Sequence, residues 1–147
     1  MALQDFIPPH RLLLGPGPSL VHPRVLRALS APLVGHLDPA FLGIMNDIQV
    51  LLRLVFQTDN RCTIAISGTG SAGMEASIVN LVEPGDAVVV GINGVFGTRL
   101  ASVVERCGGK VVRLEAPWGT CIEAGAVEEA LARSGPVKAL AIVHAET

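Results

Sequence analysis

The sequence predicts an α/β fold in which helices cover both faces of a parallel sheet. After residue 60, short runs of Val, Ile and Leu alternate with helical patterns of about 10–14 residues, which is typical of right-handed βαβ units. Half of the 147 residues are apolar and only 3% are aromatic, so aliphatic side chains must fill the core. This composition suits strands that are buried on both faces.

The amino-terminal part is predicted to contain an arm and two helices. Residues 1–20 are expected to be extended, because the Gly and Pro residues of "GPGPS" prevent regular structure. A short helix is predicted over 22–29. A long helix is predicted over 38–57, where Asp38 can cap the first turn and Pro39 suits the first helical position. Apolar residues recur at helical spacing along it.

The remaining elements alternate strand and helix. Four strands are predicted, over residues 62–67, 87–92, 110–115 and 138–146. Three helices are predicted: one that begins after the glycine turn and ends near residue 81, one over 94–107 and one over 125–134. Strands that alternate with helices in this way pair in parallel and present their carboxyl ends at one edge of the sheet.

Composition argues against several function classes. The net charge is −2 and Tyr is absent, so no basic and aromatic surface indicates nucleic-acid binding. No uncharged apolar run approaches the roughly 18–20 residues of a membrane span, and the amino terminus lacks a signal-peptide pattern. The three cysteines show no C-x-x-C spacing and are interpreted as reduced thiols, with no metal site. A cytoplasmic protein is therefore expected.

The stretch "SGTGSAGMEA" contains G-x-G-x-x-G at Gly68, Gly70 and Gly73. A P-loop would need Lys where Met74 stands. A dinucleotide site would need an acidic residue at the end of the next strand, which reads "VVVGINGVFG". The remaining interpretations are a cradle for a monophosphate, formed by hydroxyls and helix N–H groups, and a plain turn in which glycine permits packing.

Two further strand ends favour the phosphate cradle. Phe96 follows the strand over 87–92, among glycines that leave space for a flat heterocycle to stack on its ring. The last strand ends in His144, Glu146 and Thr147, which bring polar groups to the same edge. His144 itself is interpreted as a histidine packed in the core. A non-catalytic nucleotide-binding module that uses the Gly68–Gly73 turn remains the alternative function.

The order of motifs resembles the amino-terminal part of class V aminotransferases, which are pyridoxal-phosphate enzymes of fold type I. The motifs are "LLLGPGPS", "GHLDPAF", "VFQT", "SGTGSAGMEA", "EPGDAVVVGINGVFGTR" and "HAET". The similarity is greatest to the alanine–glyoxylate and serine–pyruvate group, and cysteine desulfurases and phosphoserine aminotransferases share the layout. The resemblance implies that residues 21–147 are the first part of the large, cofactor-binding domain.

The resemblance also implies a site and a reaction. Thr69, Gly70 and Ser71 match the turn that holds the cofactor phosphate, and Phe96 matches the aromatic residue stacked on the pyridine ring. Thr147 matches a hydroxyl residue of the cofactor site, and Gly17 matches the arm that approaches the substrate. The implied reaction moves an amino group from alanine or serine to a 2-oxo acid such as glyoxylate, in a homodimer.

The residues that the family uses for the chemical steps are expected to lie beyond Thr147. These are the lysine that binds the cofactor covalently, the aspartate on the pyridine nitrogen and the arginine that binds the substrate carboxylate. The chain has two lysines, Lys110 and Lys138, and both begin strands, on the side opposite the site. The sequence is therefore expected to be an amino-terminal fragment that is inactive alone.

Overall fold

The computed structural model describes residues 7–15 and 17–146. The chain divides into two compact units, with the boundary between Ile66 and Ser67. The first unit contains α1 (Pro23–Leu29) and α2 (Pro39–Phe56). The second unit contains, in chain order, α3 (Gly70–Val79), β1 (Ala87–Ile92), α4 (Val95–Arg106), β2 (Lys110–Glu115), α5 (Ala124–Arg133) and β3 (Ala139–Ala141).

Helix α2 starts as the sequence predicts. The carboxylate of Asp38 accepts a hydrogen bond from the Ala40 amide at 2.8 Å, and Pro39 occupies the first turn. By length and composition, α2 is the one helix among the described residues that could cross a membrane. It also carries Asp47 and Arg53, which are costly inside a bilayer. The absence of a membrane span stays a prediction.

The three strands form a parallel sheet in the order β2-β1-β3, which confirms the predicted fold class. Ala87 pairs with Lys110 at the amino end of β1, and Ile92 pairs with Glu115 at its carboxyl end. As the central strand, β1 has partners on both edges. Val88, Val89 and Val90 are completely buried there, as expected for a strand covered on both faces.

Helices pack on both faces of this sheet. On one face, α3 and α4 cover β1 with an aliphatic core formed by Ile78, Val82, Val88, Val90, Ile92, Leu100, Ala101, Val103 and Val104. Side chains alternate along a strand, so Val89 and Gly91 face the other side. A Cβ at Gly91 would lie 3.1 Å from Ile142 and 3.3 Å from Ile122. Helix α5 lies on that side, where Leu114 and Ala126 line a common cavity.

The strand predicted over 62–67 is not formed. Ile64 is 50% exposed and Ile66 is 79% exposed, and the segment adopts irregular backbone. A local hydrogen bond is present at the beginning of this segment, where the Asn60 side chain accepts from the Cys62 amide at 3.1 Å. The described sheet consists of β2, β1 and β3, and the segment over 62–67 is not paired with it. β-propensity without a hydrogen-bonded partner does not make a strand.

The last predicted strand, over 138–146, is shorter in the structure. Only Ala139–Ala141 pairs with β1, opposite Val88–Val90. The chain then leaves the sheet, and the Glu146 side chain bonds to backbone at the start of α4. That contact is between distant parts of the sequence, so the apolar and polar pattern of 142–146 could not reveal it.

Candidate functional site

The start of α3 presents hydroxyl groups next to open space. The Thr69 hydroxyl caps the helix by accepting from the Ala72 amide at 3.1 Å. The first amides of a helix, here those of Gly70 and Ser71, have no acceptor within the helix. A Cβ at Gly70 would meet no atom within 4 Å. Because the positive end of the helix dipole lies here, the arrangement favours an anion.

In the plain-turn interpretation the glycines permit packing, and the structure does not support that role for Gly73. A Cβ at Gly73 would also meet no atom within 4 Å. The residue faces no neighbouring element that would require glycine. At Gly68, by contrast, a Cβ would lie 3.4 Å from Ala72, which is ordinary contact. Neither glycine is required for packing around the turn.

The start of α4 is built differently, because its first turn lies directly against β1. Gly94 precedes the helix and provides no capping side chain. A Cβ at Gly97 would lie 2.7 Å from the Gly91 carbonyl oxygen and 2.9 Å from Ile92 Cα. Only glycine at this position allows the helix to approach the strand so closely. Phe96 lies between these glycines and is half-buried.

A distant carboxylate replaces the missing cap. Glu146 accepts from the Phe96 amide at 3.0 Å and from the Gly97 amide at 2.9 Å. A Cβ at Gly94 would lie 2.3 Å from Glu146 Cγ, so the absence of a side chain at Gly94 admits the glutamate. The prediction that Glu146 lies at this edge of the sheet is therefore confirmed, and its role is bonding to α4.

Arg99 joins the starts of α3 and α4. Its Nη1 donates to the Ser71 hydroxyl at 2.6 Å, and its guanidinium carbon lies 5.6 Å from the centroid of the Phe96 ring. Arg99 follows Phe96 by three residues, which places both side chains on one face of the helix. The structure thus brings Ser71 and Phe96, two of the predicted site residues, to the same cation.

A cavity of about 540 Å³ opens at the carboxyl edge of the sheet, beside β1 and β3. Its walls include Asn93, Trp118, His144 and Glu146. The interpretation of His144 as a packed core residue is wrong, because its side chain is exposed and follows the end of β3. The short strand explains this outcome, since the chain has left the sheet before it reaches His144.

For two further predicted site residues, Thr147 and Gly17, the predicted roles are not tested by the arrangement at this edge. Thr147 lies outside the described residues. Gly17 belongs to the first unit, where it is exposed and a Cβ would meet no atom within 4 Å. Their roles in cofactor and substrate binding stay predictions. The residues whose arrangement the structure does show are Thr69, Gly70, Ser71 and Phe96.

Both lysines lie at the opposite edge of the sheet. Lys110 pairs with Ala87 at the start of β1, and the Lys138 amide bonds to the Ala87 carbonyl at 2.8 Å. The Lys138 ammonium group is 3.9 Å from the Asp86 carboxylate. Six strand residues of about 3.3 Å each separate this edge from the candidate site. The expectation that both lysines begin strands is confirmed for Lys110, which begins β2, whereas Lys138 directly precedes β3.

The cysteines are not among the residues at the two helix starts, although Cys121 lines the cavity beside β1 and β3. The three cysteines are free, with Cys107 half-buried and the other two exposed. No cluster of potential metal ligands occurs in the part of the chain that the structure describes. The chemical groups at the starts of α3 and α4 are hydroxyls, amides, the Phe96 ring and the Arg99 guanidinium.

Sequence reasoning assigned no role to Arg99 or Gly94, although signals for both exist. Arg99 has the i+3 spacing from Phe96 that places two helix residues together. Gly94 precedes a helix and offers no cap, so an acceptor from elsewhere in the fold is expected at that helix start. Only the topology identifies Glu146 as that acceptor, because the residues lie about fifty positions apart in the chain.

Comparison with known proteins gives consistent results. No protein-family profile matches the chain. The chain is 43% identical over 144 residues to an (S)-ureidoglycine–glyoxylate transaminase of Bacillus subtilis, covering 98% of this chain and 34% of the relative. It is 43% identical over 139 residues to an alanine–glyoxylate aminotransferase of Oryctolagus cuniculus, covering 95% and 35% respectively.

A solved structure agrees with these relatives. The alanine–glyoxylate aminotransferase of Nostoc sp. superposes with a TM-score of 0.85 at 51% identity, covering 99% of this chain and 38% of that structure. The chain spans about a third of the length of the curated relatives that it matches. Over nearly all of its length, the chain is homologous to the N-terminal portion of class V aminotransferases in the alanine–glyoxylate and ureidoglycine–glyoxylate group.

Proposed function

We propose that this chain supplies the phosphate-binding and ring-stacking half of a pyridoxal 5'-phosphate site in an aminotransferase. The proposed reaction transfers an amino group from a small amino acid, alanine or serine, to a 2-oxo acid such as glyoxylate. The observation that carries the proposal is the Arg99 bridge between Ser71 at the start of α3 and Phe96 at the start of α4.

The start of α3 fits a monophosphate in chemistry and in space. It offers the Ser71 hydroxyl and the first amides of the helix, with open space beside Gly70. Helix starts of this kind bind phosphate through N–H groups and the helix dipole. Arg99 adds a positive charge next to the Ser71 hydroxyl, which is the partner that a doubly charged phosphate requires.

Phe96 fits the flat ring of the same cofactor. Its own ring is half-buried, and Arg99 lies over it at a distance suitable for a cation–π contact. Aromatic stacking on a heterocycle orients the ring and excludes water from the stacked face. Proposed roles therefore follow: Thr69, Gly70 and Ser71 hold the phosphate, Phe96 holds the ring, and Thr147 and Gly17 complete the cofactor and substrate contacts.

The bound cofactor would supply an electron sink at the substrate amine. This chain's own residues bind and orient it. We propose that the chain alone does not catalyse transamination, because Lys110 and Lys138 lie at the far edge of the sheet. The lysine, the pyridine aspartate and the substrate arginine are proposed to come from residues outside this sequence, with homodimer formation in the full-length protein.

Pyridoxal phosphate binding tests the proposal directly. The full-length gene product is titrated with pyridoxal 5'-phosphate, pyridoxal and NAD, and assayed for amino transfer from alanine or serine to glyoxylate. Ser71→Ala is expected to raise the Kd for pyridoxal phosphate about tenfold and to leave pyridoxal binding unchanged, because only the phosphate contact is lost.

Ser102→Ala provides a matched control, since Ser102 is an exposed serine on α4 away from the turn. It should leave all three affinities unchanged. Binding of NAD without binding of pyridoxal phosphate would contradict the proposal and support the nucleotide-binding alternative.

A further inference from the structure

The start of α4 has an unusual cap that the proposed site does not explain. Glu146 accepts from both the Phe96 and the Gly97 amides, which are two of the four orphan donors of that helix. A capping side chain normally comes from the residue that precedes the helix. Here that residue is Gly94, and the carboxylate comes from the segment after β3.

The space around Gly94 is matched to this carboxylate. A Cβ at Gly94 would lie 2.3 Å from Glu146 Cγ and 2.4 Å from its Cδ. Both distances are too short for a Cβ to coexist with the glutamate in its observed position, so a side chain at Gly94 would require the Glu146 side chain to move. Gly94 itself is extended, with φ of −179°, so backbone conformation does not require glycine. The requirement comes from Glu146.

One of the bonds acts on the residue that is proposed to stack on the cofactor. The Phe96 amide is held at 3.0 Å from Glu146 Oε1, while the Phe96 ring faces the Arg99 guanidinium. The backbone of Phe96 is therefore held by the segment after β3, and its ring is contacted by Arg99 of the same helix. A carboxylate at a helix start also satisfies the positive end of the helix dipole, and this removes the attraction for a second anion.

We infer that Glu146 is a positioning residue that fixes the first turn of α4, and with it Phe96, and that Gly94 exists to admit it. The same carboxylate fills the anion-attracting end of α4, so that the phosphate group is directed to the start of α3. The cofactor part of this inference rests on the proposed function, whereas the positioning part does not.

Amide exchange in the cofactor-free, full-length gene product tests the positioning role. Hydrogen–deuterium exchange is followed by mass spectrometry in peptides that contain Phe96 and Gly97. Glu146→Ala should accelerate exchange of these amides at least tenfold, and Glu146→Gln should have an intermediate effect because it retains one acceptor oxygen. Unchanged exchange in Glu146→Ala would overturn the inference.

A double-mutant cycle separates this role from general destabilisation. Gly94→Ala should accelerate exchange in the wild-type background and add little in the Glu146→Ala background, because the clashing side chain is then absent. Gly97→Ala is the control, since its Cβ would meet the backbone of β1 and its effect should be equal in both backgrounds. An effect of Gly94→Ala that is equal in both backgrounds would contradict the inference.

The cofactor readout distinguishes the two proposals. In the full-length protein, Glu146→Ala should alter the visible circular dichroism of bound pyridoxal phosphate and raise its Kd about tenfold. Measured at saturating pyridoxal phosphate and normalised to the amount bound, a changed dichroism reports a changed ring orientation and not a lower occupancy. If the wild-type protein fails to bind pyridoxal phosphate, the proposed function fails, while the exchange experiments still decide whether Glu146 positions Phe96.

Discussion

The starts of α3 and α4 follow similar glycine-containing turns in the second unit, yet they differ in what occupies them. At α3, Thr69 provides a local cap and open space lies beside Gly70. At α4, Gly97 packs against β1 and Glu146 occupies the helix start. One helix start remains available to a ligand, and the other is filled by the protein itself.

This difference shows that a glycine in a turn can serve either of two structural roles. Gly70 leaves space that no protein atom fills, whereas the space beside Gly94 and Gly97 is already occupied by Glu146 and by β1. A glycine pattern alone cannot distinguish these cases, because both give the same letters in a sequence. The surroundings decide which glycine belongs to a binding site.

The largest expected effect comes from placing the same methyl group at the two helix starts. Gly97→Ala should lower the free energy of unfolding by about 2 kcal/mol, because its Cβ would overlap the backbone of β1. Gly70→Ala should change that free energy by less than about 1 kcal/mol, since the site is open and alanine favours helix. Urea denaturation of the full-length gene product measures both.

At Gly70, the effect of the methyl group on cofactor affinity should be larger than its effect on stability. Gly70→Ala is expected to weaken pyridoxal phosphate binding about tenfold by filling the space beside the helix start. Equal losses of stability for the two alanine variants would contradict the difference between the helix starts. If Gly70→Ala lowers the affinity for pyridoxal phosphate but not the free energy of unfolding, the start of α3 differs from that of α4 in being open to a ligand.

A smaller effect is expected from the cation that links the two helix starts. Arg99→Gln should weaken pyridoxal phosphate binding about fivefold, because the positive charge beside Ser71 is lost. The effect is small because Arg99 is exposed, so solvent and salt screen its interaction with the phosphate. The difference from wild type should decrease in 1 M NaCl. Arg106→Gln, at the other end of α4, is the matched control and should leave affinity unchanged; equal effects of both variants would argue against the bridge.

The smallest effect is expected at the opposite edge of the sheet. On addition of pyridoxal phosphate, the 147-residue chain should develop no specific visible absorbance, because neither lysine lies near the candidate site. Lys110→Ala and Lys138→Ala should not alter the spectrum. Loss of the exposed Lys138–Asp86 pair should cost less than about 1 kcal/mol. A visible band that disappears in either variant would refute the proposed division of roles.

Local signals in the sequence predicted most of the fold. Helix α2 follows from Asp38, Pro39 and the periodic apolar pattern, and β1 and β2 have the predicted bounds. The segment over 62–67 has the composition of a strand, but a strand also requires a partner, and composition does not report pairing. The shortened β3 is a different case, since the chain leaves the sheet after Ala141 and the Glu146 side chain then bonds to the start of α4.

The candidate site was predictable where a turn or the end of a strand locates its residues. Thr69, Gly70 and Ser71 form one turn, and Phe96 follows the next strand, so topology places them at one edge. Glu146 bonds to backbone fifty residues away, and no local pattern indicates which amides a carboxylate selects. Arg99 has the right spacing from Phe96, but its bond to Ser71 depends on how α3 and α4 pack.

The bond from Glu146 to the Phe96 amide also has a consequence for the order of folding. The chain between them includes α4, β2, α5 and β3, so the cap cannot form until all of these have been synthesised and the end of β3 has docked. Contacts of such long sequence separation form late, because the loop-closure entropy is paid first. We therefore expect the first turn of α4 to be among the last parts of the second unit to become ordered.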